Sequence, residues 1–526
     1  MRADWLECPD REHVCHLMDT NNPVWREYVK AVIRIQVDAG VDGIQFDEPD
    51  GPMGSLQYGG CFCKDCMRGF AAHLRALSPD DVPEHLAAVR EAGFHYGRWL
   101  LEHGQERIDP VDPDFLARAY VTYARAQNAA NFHELAEYAR QYAAAQGRSL
   151  LISANLYDGA PWHDPLVADV DVLVPEQRHT LYRQPGWMRY IAAFGGDKPV
   201  TLSFNPYGGI LPELVTALDD GRAMDRYRVM LYEAAAMGVN MSVPYGAWMG
   251  SVIEDAMYAP HNATCAIQDF IADHDHLYSH TTANDTAVVY SMDSNLHHEA
   301  FGAALQARID PATGRRGGAT SGASFFRAAN ALARRLRVFD VVIFHDGQLR
   351  DDDIRSEDLA RYRHLVLPDC RDLTLLQAEA LARYLDDGGH VTVIGQLDAP
   401  GHAETVTAIL THPGTTTTSV ADLATVTPRP PQVGLRGPVD AAANLQVTAA
   451  GTTALHIVNY DYDHAASCTR VYDEVSVTVR LPRPVTRACI HAPDHDTYTA
   501  PVTATGPDTY GFTLPSLGCY AVVELD

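Results

Sequence analysis

The chain has 526 residues, of which 46% are hydrophobic and 21% charged, so it holds enough apolar material for several packed domains of a soluble globular protein. Acidic residues exceed basic ones by 27, which disfavours binding to nucleic acid or to an anionic membrane surface. No run approaches the ~18 apolar residues of a membrane span, and the first residues lack the basic start and apolar core of a secretion signal. We therefore expect a cytoplasmic protein with a neutral or cationic ligand.

Residues 1–278 alternate amphipathic helical segments with short apolar runs, which is the pattern of repeated βα units. The predicted strands lie in five runs, at 41–50, 149–158, 170–177, 198–209 and 238–248. A complete (β/α)₈ barrel has eight strands in ~250 residues. We therefore predict an α/β fold with a TIM barrel that apparently lacks its first strands. The alternative is a smaller open α/β sheet.

Two further domains are predicted after the barrel. Four short strands separated by helices predict a flavodoxin-like α/β domain over residues 279–425. A threonine run (411–420) and a proline-rich segment (428–438) are predicted to form a linker. Alternating apolar and polar residues then predict a small C-terminal β-sandwich, assigned to residues 426–526.

The run VDGIQFDEPD at 41–50 carries the first candidate catalytic residues, Asp47 and Glu48. Active sites of βα barrels lie at the carboxyl ends of the strands. Strand alternation places Gln45 and Asp47 on one face, with Glu48 just past the strand end. Two carboxylates in different environments can divide the roles of general acid and nucleophile. The structural alternative is that one carboxylate caps the next helix or pairs with an arginine.

A cysteine cluster with the spacing C-x-C-x-x-C consists of Cys61, Cys63 and Cys66 and directly precedes a predicted helix. Three thiolates in six residues can bind one side of a tetrahedral Zn²⁺. Cys15 is the predicted fourth ligand, with Cys8 and His16 as alternatives. Four ligands leave no open position, so the predicted zinc is structural; the alternatives are three buried thiols or a catalytic metal centre.

These motifs resemble the β-galactosidases of glycoside hydrolase family 42 and related uncharacterised glycosyl-hydrolase-like barrel proteins. The resemblance rests on Cys15 before NNPVWREY, on the strand ending Asp47-Glu48-Pro49, and on the loop CFCKDCMRGF. It implies a barrel followed by a flavodoxin-like trimerisation domain and a small β domain, a structural zinc on the cysteines, and a homotrimer. It also makes IQFDE the fourth barrel strand, places Glu48 as acid/base, and puts Asp47 where the family has Asn.

The chain departs from this family at the seventh strand, where the family has a nucleophilic Glu. The corresponding segment, TLSFNPYGG, contains Asn205 and Tyr207 but no carboxylate. The nearest candidate partner is Glu176, at the end of the predicted sixth strand.

A carboxylate pair on strands four and six resembles α-galactosidase-like and α-glucosidase-like barrels. That resemblance implies that Asp47 is the nucleophile and Glu176 the general acid, with Glu48 as an auxiliary. The alternative for Glu176 is an ion pair with Arg178 or Arg183.

Polar and aromatic residues near the strand ends are candidates for a sugar site, since aromatic faces with amide and carboxylate partners suit sugars. The leading hypothesis is a glycoside hydrolase, galactosidase-like and retaining, that cleaves a small neutral oligosaccharide or glycoside. The alternative is a non-catalytic carbohydrate-binding or assembly protein derived from such an enzyme. The predicted substrate-binding residues are Gln45, Asn155, Tyr157, His179, Asn205, Tyr207, Tyr245 and Trp248.

Overall fold

The structure is a computed structural model with alternating helices and strands, so the predicted α/β class is confirmed. It describes residues 18–56, 61–105, 108, 114–177, 182–204, 211–243, 245–247, 256–300, 324–423, 430–438 and 440–526.

The first part of the chain forms an arc of parallel strands in chain order. Each of the five predicted runs contains a strand, and the third run is split into two short pieces by Val174 and Pro175. A bridge between Leu173 and Val200 joins the two halves of the arc. The carboxyl ends of all these strands therefore lie at one edge. The strands are β1 (Gly43–Asp47), β2 (Leu151–Asn155), β3 (Val172–Leu173), β4 (Glu176–Gln177), β5 (Thr201–Phe204) and β6 (Asn240–Met241). An antiparallel pair follows, β7 (Tyr245–Ala247) and β8 (Ala256–Tyr258).

Helices cover one side of this arc, and their ends are fixed by local sequence. Asn22 caps the first helix by accepting hydrogen bonds from Val24 N and Trp25 N, and Asp114 caps the 30-residue helix by accepting from Ala117 N. These two helices pack against each other and lead into β1 and β2. The helices of this part are Pro23–Asp38, Gly51–Leu56, Lys64–Ala76, Tyr96–Glu102, Phe115–Ala144, Pro185–Gly195, Leu211–Asp219, Met224–Met237 and His261–Asp273, with 3₁₀ turns at Pro79–Asp81, Glu84–Arg90, Pro161–Asp169 and Asp275–Leu277.

The second part is a five-stranded parallel sheet, one strand more than predicted. Its order, β10-β9-β11-β12-β13, is the 2-1-3-4-5 order of doubly wound proteins. The threonine run predicted as a linker instead forms the edge strand β13, because β-branched Thr favours extended backbone and an edge tolerates polar side chains. The strands are β9 (Thr286–Ser291), β10 (Asp340–Phe344), β11 (His364–Cys370), β12 (His390–Leu397) and β13 (Thr415–Thr418), with helices Met292–Ser294, Ser324–Ala333, Ser356–Leu359, Leu375–Asp386 and Ala403–Thr411 and a π-helical turn Asn295–Ala300.

The last part is a sandwich of two antiparallel sheets with an apolar core between them, as the alternating pattern predicts. In the long strand Tyr472–Arg480, Val475, Val477 and Val479 are buried while the residues between them are exposed. One sheet contains β14 (Val433–Arg436), β19 (Tyr472–Arg480), β23 (Thr509–Leu517) and β22 (Thr503–Gly506). The other contains β15 (Ala441–Val447), β16 (Thr453–Asn459), β24 (Tyr520–Leu525), β20 (Arg487–Ala492) and β21 (His495–Pro501), and a small ribbon pairs β17 (Tyr462–Asp463) with β18 (Cys468–Thr469).

Buried charged residues join the helices of the first part of the chain to the doubly wound sheet. Asp340, at the start of β10, is 2% exposed and pairs with Arg189 of the helix Pro185–Gly195 at 2.8 Å. Arg125 of the long helix pairs with Asp293 and Asp346, which follow β9 and β10. Asp340 also pairs with Arg361, so these buried charges form a network, and losing one of its members would weaken the junction of the two parts.

Candidate active site and metal centre

Asp47 and Glu176 are brought together by the amide of Asn155. Asp47 and Asn155 are register partners at the carboxyl ends of the parallel strands β1 and β2. Asn155 Nδ2 donates to Asp47 Oδ1 and to Glu176 Oε1, both at 2.8 Å. The two carboxylate oxygens therefore lie at most ~5.6 Å apart, twice the hydrogen-bond length. The sequence did not predict this bridging role for Asn155.

The orientation of Asn155 is fixed on both sides of its amide. Its side chain is buried, and Oδ1 accepts a hydrogen bond from Tyr157 N at 2.9 Å. Tyr157 adopts a left-handed backbone conformation (φ 50°), and its carbonyl accepts from Glu176 N at 2.6 Å. The turn after β2 thus holds both the amide and the backbone that carries Glu176.

Glu48 lies just past the end of β1, as the strand pattern predicts. Its φ of 42° falls in the left-handed region, which a residue with a side chain adopts at an energetic cost. Its carbonyl accepts from Asp50 N at 2.7 Å, which closes a tight turn. Gln45 and Asp47 share the exposed face of β1, whereas Ile44 is buried in the core.

Asp50 anchors the turn that carries Glu48 to the segment after β2. Asp50 Oδ1 accepts hydrogen bonds from Trp162 Nε1 at 3.4 Å and from His163 Nε2. His163 is 1% exposed. The next residue, Asp164, is equally buried and pairs with His345 of the doubly wound part at 3.0 Å. The sequence analysis missed these residues, although the acidic Asp50 directly follows Asp47-Glu48-Pro49.

The remaining predicted site residues are only partly described. Tyr245 lies in β7, but its side chain is not among those that the structure describes. Arg183, one alternative partner of Glu176, pairs with Asp440 at 2.9 Å. The predicted residues that fall outside the described part of the chain are Cys8, Cys15, His16, Arg178, His179, Asn205, Tyr207 and Trp248.

The cysteine cluster forms a compact group of donors with Asp19. One donor atom from each of Asp19, Cys61, Cys63 and Cys66 lies within 4.8 Å of the other three. Cys63 Sγ donates to Asp19 Oδ2 at 2.8 Å, and Cys66 Sγ lies 3.6 Å from Asp19 Oδ1. Three sulfurs and a carboxylate at this spacing suit a tetrahedral metal ion, so the cluster could hold one. The sequence analysis missed Asp19 as a candidate ligand.

Hydrogen bonds from neighbouring residues hold this group in place. Cys63 caps the helix Lys64–Ala76, because its Sγ accepts from Cys66 N. The Tyr120 hydroxyl donates to Cys61 O at 2.5 Å, and the Asn21 amide donates to Cys66 Sγ at 3.2 Å.

Because the three thiols lie close together, their pKa values differ. A hydrogen bond from Cys66 lowers the pKa of the Cys61 thiol to about 6. Burial and the carboxylate of Asp19 raise the pKa of Cys63 to about 11, while the hydrogen bond to Cys61 and burial raise that of Cys66. Without a cation, the three sulfurs cannot all ionise at neutral pH.

Within the described residues, no helix is long and apolar enough to cross a membrane.

The arrangement of parallel strands, doubly wound sheet and sandwich matches solved glycosidases. An α-L-fucosidase, isoenzyme 2 of Paenibacillus thiaminolyticus, matches 100% of this chain and 83% of its own, with a TM-score of 0.60 and 13% identity. A β-galactosidase of Bacillus circulans sp. alkalophilus matches 98% of this chain and 83% of its own, with a TM-score of 0.61 and 11% identity. Gan42B, a family 42 β-galactosidase from G. stearothermophilus, gives a TM-score of 0.57 at 11% identity over 97% of this chain and 82% of its own. No family model and no curated protein sequence matches the chain.

The chain therefore has a glycosidase fold of the glycoside hydrolase family 42 type, as the motifs indicated. At these sequence identities the similarity establishes the fold but not the reaction. The reaction has to be inferred from the residues of the site.

Proposed function

We propose that this protein is a retaining glycoside hydrolase that acts on a small neutral oligosaccharide or glycoside. The observation that carries the proposal is the hydrogen bonding of Asp47 and Glu176 to the single amide of Asn155. Glycoside hydrolases use a pair of carboxylates, and in βα barrels such residues lie at the carboxyl ends of the parallel strands. The glycosidase fold supports the same reaction.

The separation of the pair supports retention of configuration. Retaining enzymes hold their two carboxyl groups ~5–5.5 Å apart, whereas inverting enzymes leave ~6.5–9.5 Å for a water molecule. The bound of ~5.6 Å between Asp47 Oδ1 and Glu176 Oε1 agrees with the shorter class.

Each carboxylate has a proposed role. Asp47 attacks the anomeric carbon and forms a glycosyl ester, while Glu176 protonates the leaving oxygen and then deprotonates the incoming water. Asn155 positions both groups, since its amide contacts each of them. Glu48, in the left-handed turn just past the end of β1, is proposed as an auxiliary carboxylate. The alternative assignment makes Glu48 the acid/base.

The sugar site is proposed to extend from these carboxylates. Gln45 lies on the exposed face of β1 beside Asp47, and half-buried Tyr157 follows Asn155. The other proposed substrate contacts are His179, Asn205, Tyr207, Tyr245 and Trp248.

The metal is proposed to be a structural Zn²⁺ held by the three cysteines. Asp19 lies in position to be the fourth ligand, and Cys15 remains the alternative that the sequence predicts. A closed set of four protein ligands would give zinc a folding role only.

The domain boundaries, a homotrimer and a cytoplasmic location also stay proposals. The arc of strands is proposed to occupy barrel positions four to eight. Light scattering on the purified protein tests the trimer, which a monomeric mass would rule out.

The function is tested by hydrolysis of a panel of aryl α- and β-glycosides. We expect the wild type to release the aryl alcohol from one sugar class, and Asp47→Asn or Glu176→Gln to reduce the rate by ~10³-fold or more. The exposed substitutions Glu91→Gln and Asp387→Asn are matched controls that leave the rate unchanged.

Two outcomes would contradict the proposal. Undiminished turnover in both Asp47→Asn and Glu176→Gln would remove the mechanism. Sugar binding in calorimetry by folded wild-type protein, with no hydrolysis of any glycoside, would replace it with the non-catalytic carbohydrate-binding function.

A further inference from the structure

A pocket of about 410 Å³, including its open mouth, lies where the doubly wound sheet meets the sandwich. It opens beside the amino ends of β9 and β11, at the edge opposite the one where doubly wound proteins bind their ligands. Its polar and charged lining includes Asp285, Arg337, Arg363, His364, Gln432 and Arg480.

The charge of this pocket is opposite to that of the protein. The chain carries a net charge of −27, yet three arginines and one carboxylate line the pocket. The only other titratable group among the lining residues is His364, and burial lowers its pKa to about 4. At neutral pH the lining is therefore cationic.

The backbone that carries the three arginines forms a hydrogen-bonded frame. Arg480 Nη1 pairs with Asp285 Oδ2 at 2.8 Å, and Arg480 N donates to Gln432 O at 2.8 Å. Arg363 N donates to Asp285 O at 2.8 Å. Arg337 N donates to Leu332 O at 3.1 Å and so closes the end of the helix Ser324–Ala333.

Charges of both signs act on the guanidinium group of Arg337. Burial lowers the pKa of Arg337, the carboxylate of Asp285 raises it, and the positive charge of Arg480 lowers it by a smaller amount. Arginine keeps its proton under these conditions, so Arg337 stays charged although it is partly buried, and a bound anion would supply a further compensating charge. Planar guanidinium groups bind phosphate and sulfate oxygens through paired, charge-assisted hydrogen bonds.

We propose that this pocket, the arginine pocket, binds a phosphate or sulfate group, either as the free ion or as a sugar ester. The two sources share one chemistry, a compact oxyanion received by Arg337, Arg363 and Arg480. Because residues of two parts of the chain line it, the bound anion would strengthen the junction between them. This inference is independent of the glycosidase proposal.

The test uses the full chain and isothermal titration calorimetry with inorganic phosphate, galactose 6-phosphate and galactose. We expect saturable binding of one phosphate group per chain and no competition from unphosphorylated galactose. Tighter binding of the ester identifies a sugar phosphate as the ligand, and equal or weaker binding identifies the free ion. The thermal midpoint should rise with phosphate beyond its rise in potassium chloride of equal ionic strength.

Arg363→Gln is the principal variant, because this side chain is exposed and its replacement leaves the frame in place. We expect Arg363→Gln to bind phosphate about tenfold more weakly than the wild type. The double variant Arg337→Gln/Arg363→Gln should lose still more affinity. Arg335→Gln, an exposed arginine two residues from Arg337 and outside the lining, is the matched control and keeps wild-type affinity.

Three results would overturn the proposal: no saturable binding up to about 10 mM phosphate, an affinity unchanged in folded Arg363→Gln, or equal stabilisation by chloride.

Discussion

Asp47 and Asn155 are register partners on adjacent parallel strands, and the side-chain amide of Asn155 donates a hydrogen bond to Asp47 Oδ1 at 2.8 Å. Because the same nitrogen also contacts Glu176, one buried side chain sets the spacing of two carboxylates from different strands. In glycoside hydrolases that spacing distinguishes a retaining from an inverting reaction.

Asn155→Ala should therefore affect activity and stability together. Loss of the amide frees both carboxylates, so we expect kcat/KM on the best aryl glycoside to fall by ~10²-fold. The buried acceptors that lose their donor should lower the free energy of unfolding by about 1–3 kcal/mol. Enzyme kinetics and urea unfolding measure the two effects. Asn262→Ala, at an exposed helical position, is the control; wild-type kcat/KM in Asn155→Ala would show that the bridge has no catalytic role.

His163→Asn should loosen the turn that follows β1. The imidazole of His163 holds the Asp50 carboxylate, and Asp50 closes the strained turn at Glu48. We expect faster hydrogen exchange in residues 48–56 and a lower kcat, with little change at distant strands. Exchange mass spectrometry reports the first effect whether or not the protein is an enzyme. His85→Asn, an exposed histidine, is the comparison, and unchanged exchange at 48–56 would contradict this positioning role.

Metal analysis should find one zinc ion per chain. Cys66→Ala removes a buried ligand, so we expect loss of the metal and a fall of several degrees in the thermal midpoint, whereas exposed Cys265→Ala keeps both. Asp19→Ala should bind zinc more weakly if Asp19 is the fourth ligand. Full zinc affinity in Asp19→Ala combined with loss in Cys15→Ala would assign the fourth position to Cys15. A chelator that abolishes activity but leaves the fold intact would indicate a catalytic metal instead.

Glu233 should make stability depend on pH. Its carboxylate is buried, and burial raises its pKa from 4.5 to about 7, although Oε1 accepts hydrogen bonds from Tyr460 and Gln184 N. Between pH 4.5 and 7 the unfolded chain loses this proton while the folded protein keeps it. Stability from this group is therefore present at low pH and declines as pH rises, by about 3 kcal/mol at most.

Glu233→Gln keeps the accepting oxygen and cannot ionise, so its stability relative to the wild type should be greater at pH 8 than at pH 5. Urea unfolding at the two pH values measures the difference, with exposed Glu91→Gln as the control. An equal stability difference at both values would mean that Glu233 does not titrate in this range.

Sequence patterns predicted the elements better than the contacts between them. Apolar runs and capping residues such as Asn22 act locally, so the strands of the arc were predicted in order. The edge strand Thr415–Thr418 was missed because its side chains are polar and its stability comes from pairing with β12.

The bridging amide of Asn155 and the approach of Asp19 to the cysteines were also missed. Both contacts join residues that are distant in the sequence, and neither residue type signals such a role by itself. Adjacent carboxylates and the C-x-C-x-x-C spacing are local signals, which is why Asp47 and the cysteines could be predicted.

Mass spectrometry of the protein after reaction with an activated 2-deoxy-2-fluoro glycoside shows whether Asp47 is the nucleophile, because the fluorine slows breakdown of a covalent intermediate. We expect one glycosyl adduct, located by peptide mapping on Asp47, and no adduct in Asp47→Asn. Turnover of aryl glycosides without any adduct, or an adduct on a different carboxylate, would contradict Asp47 as the nucleophile of a retaining reaction.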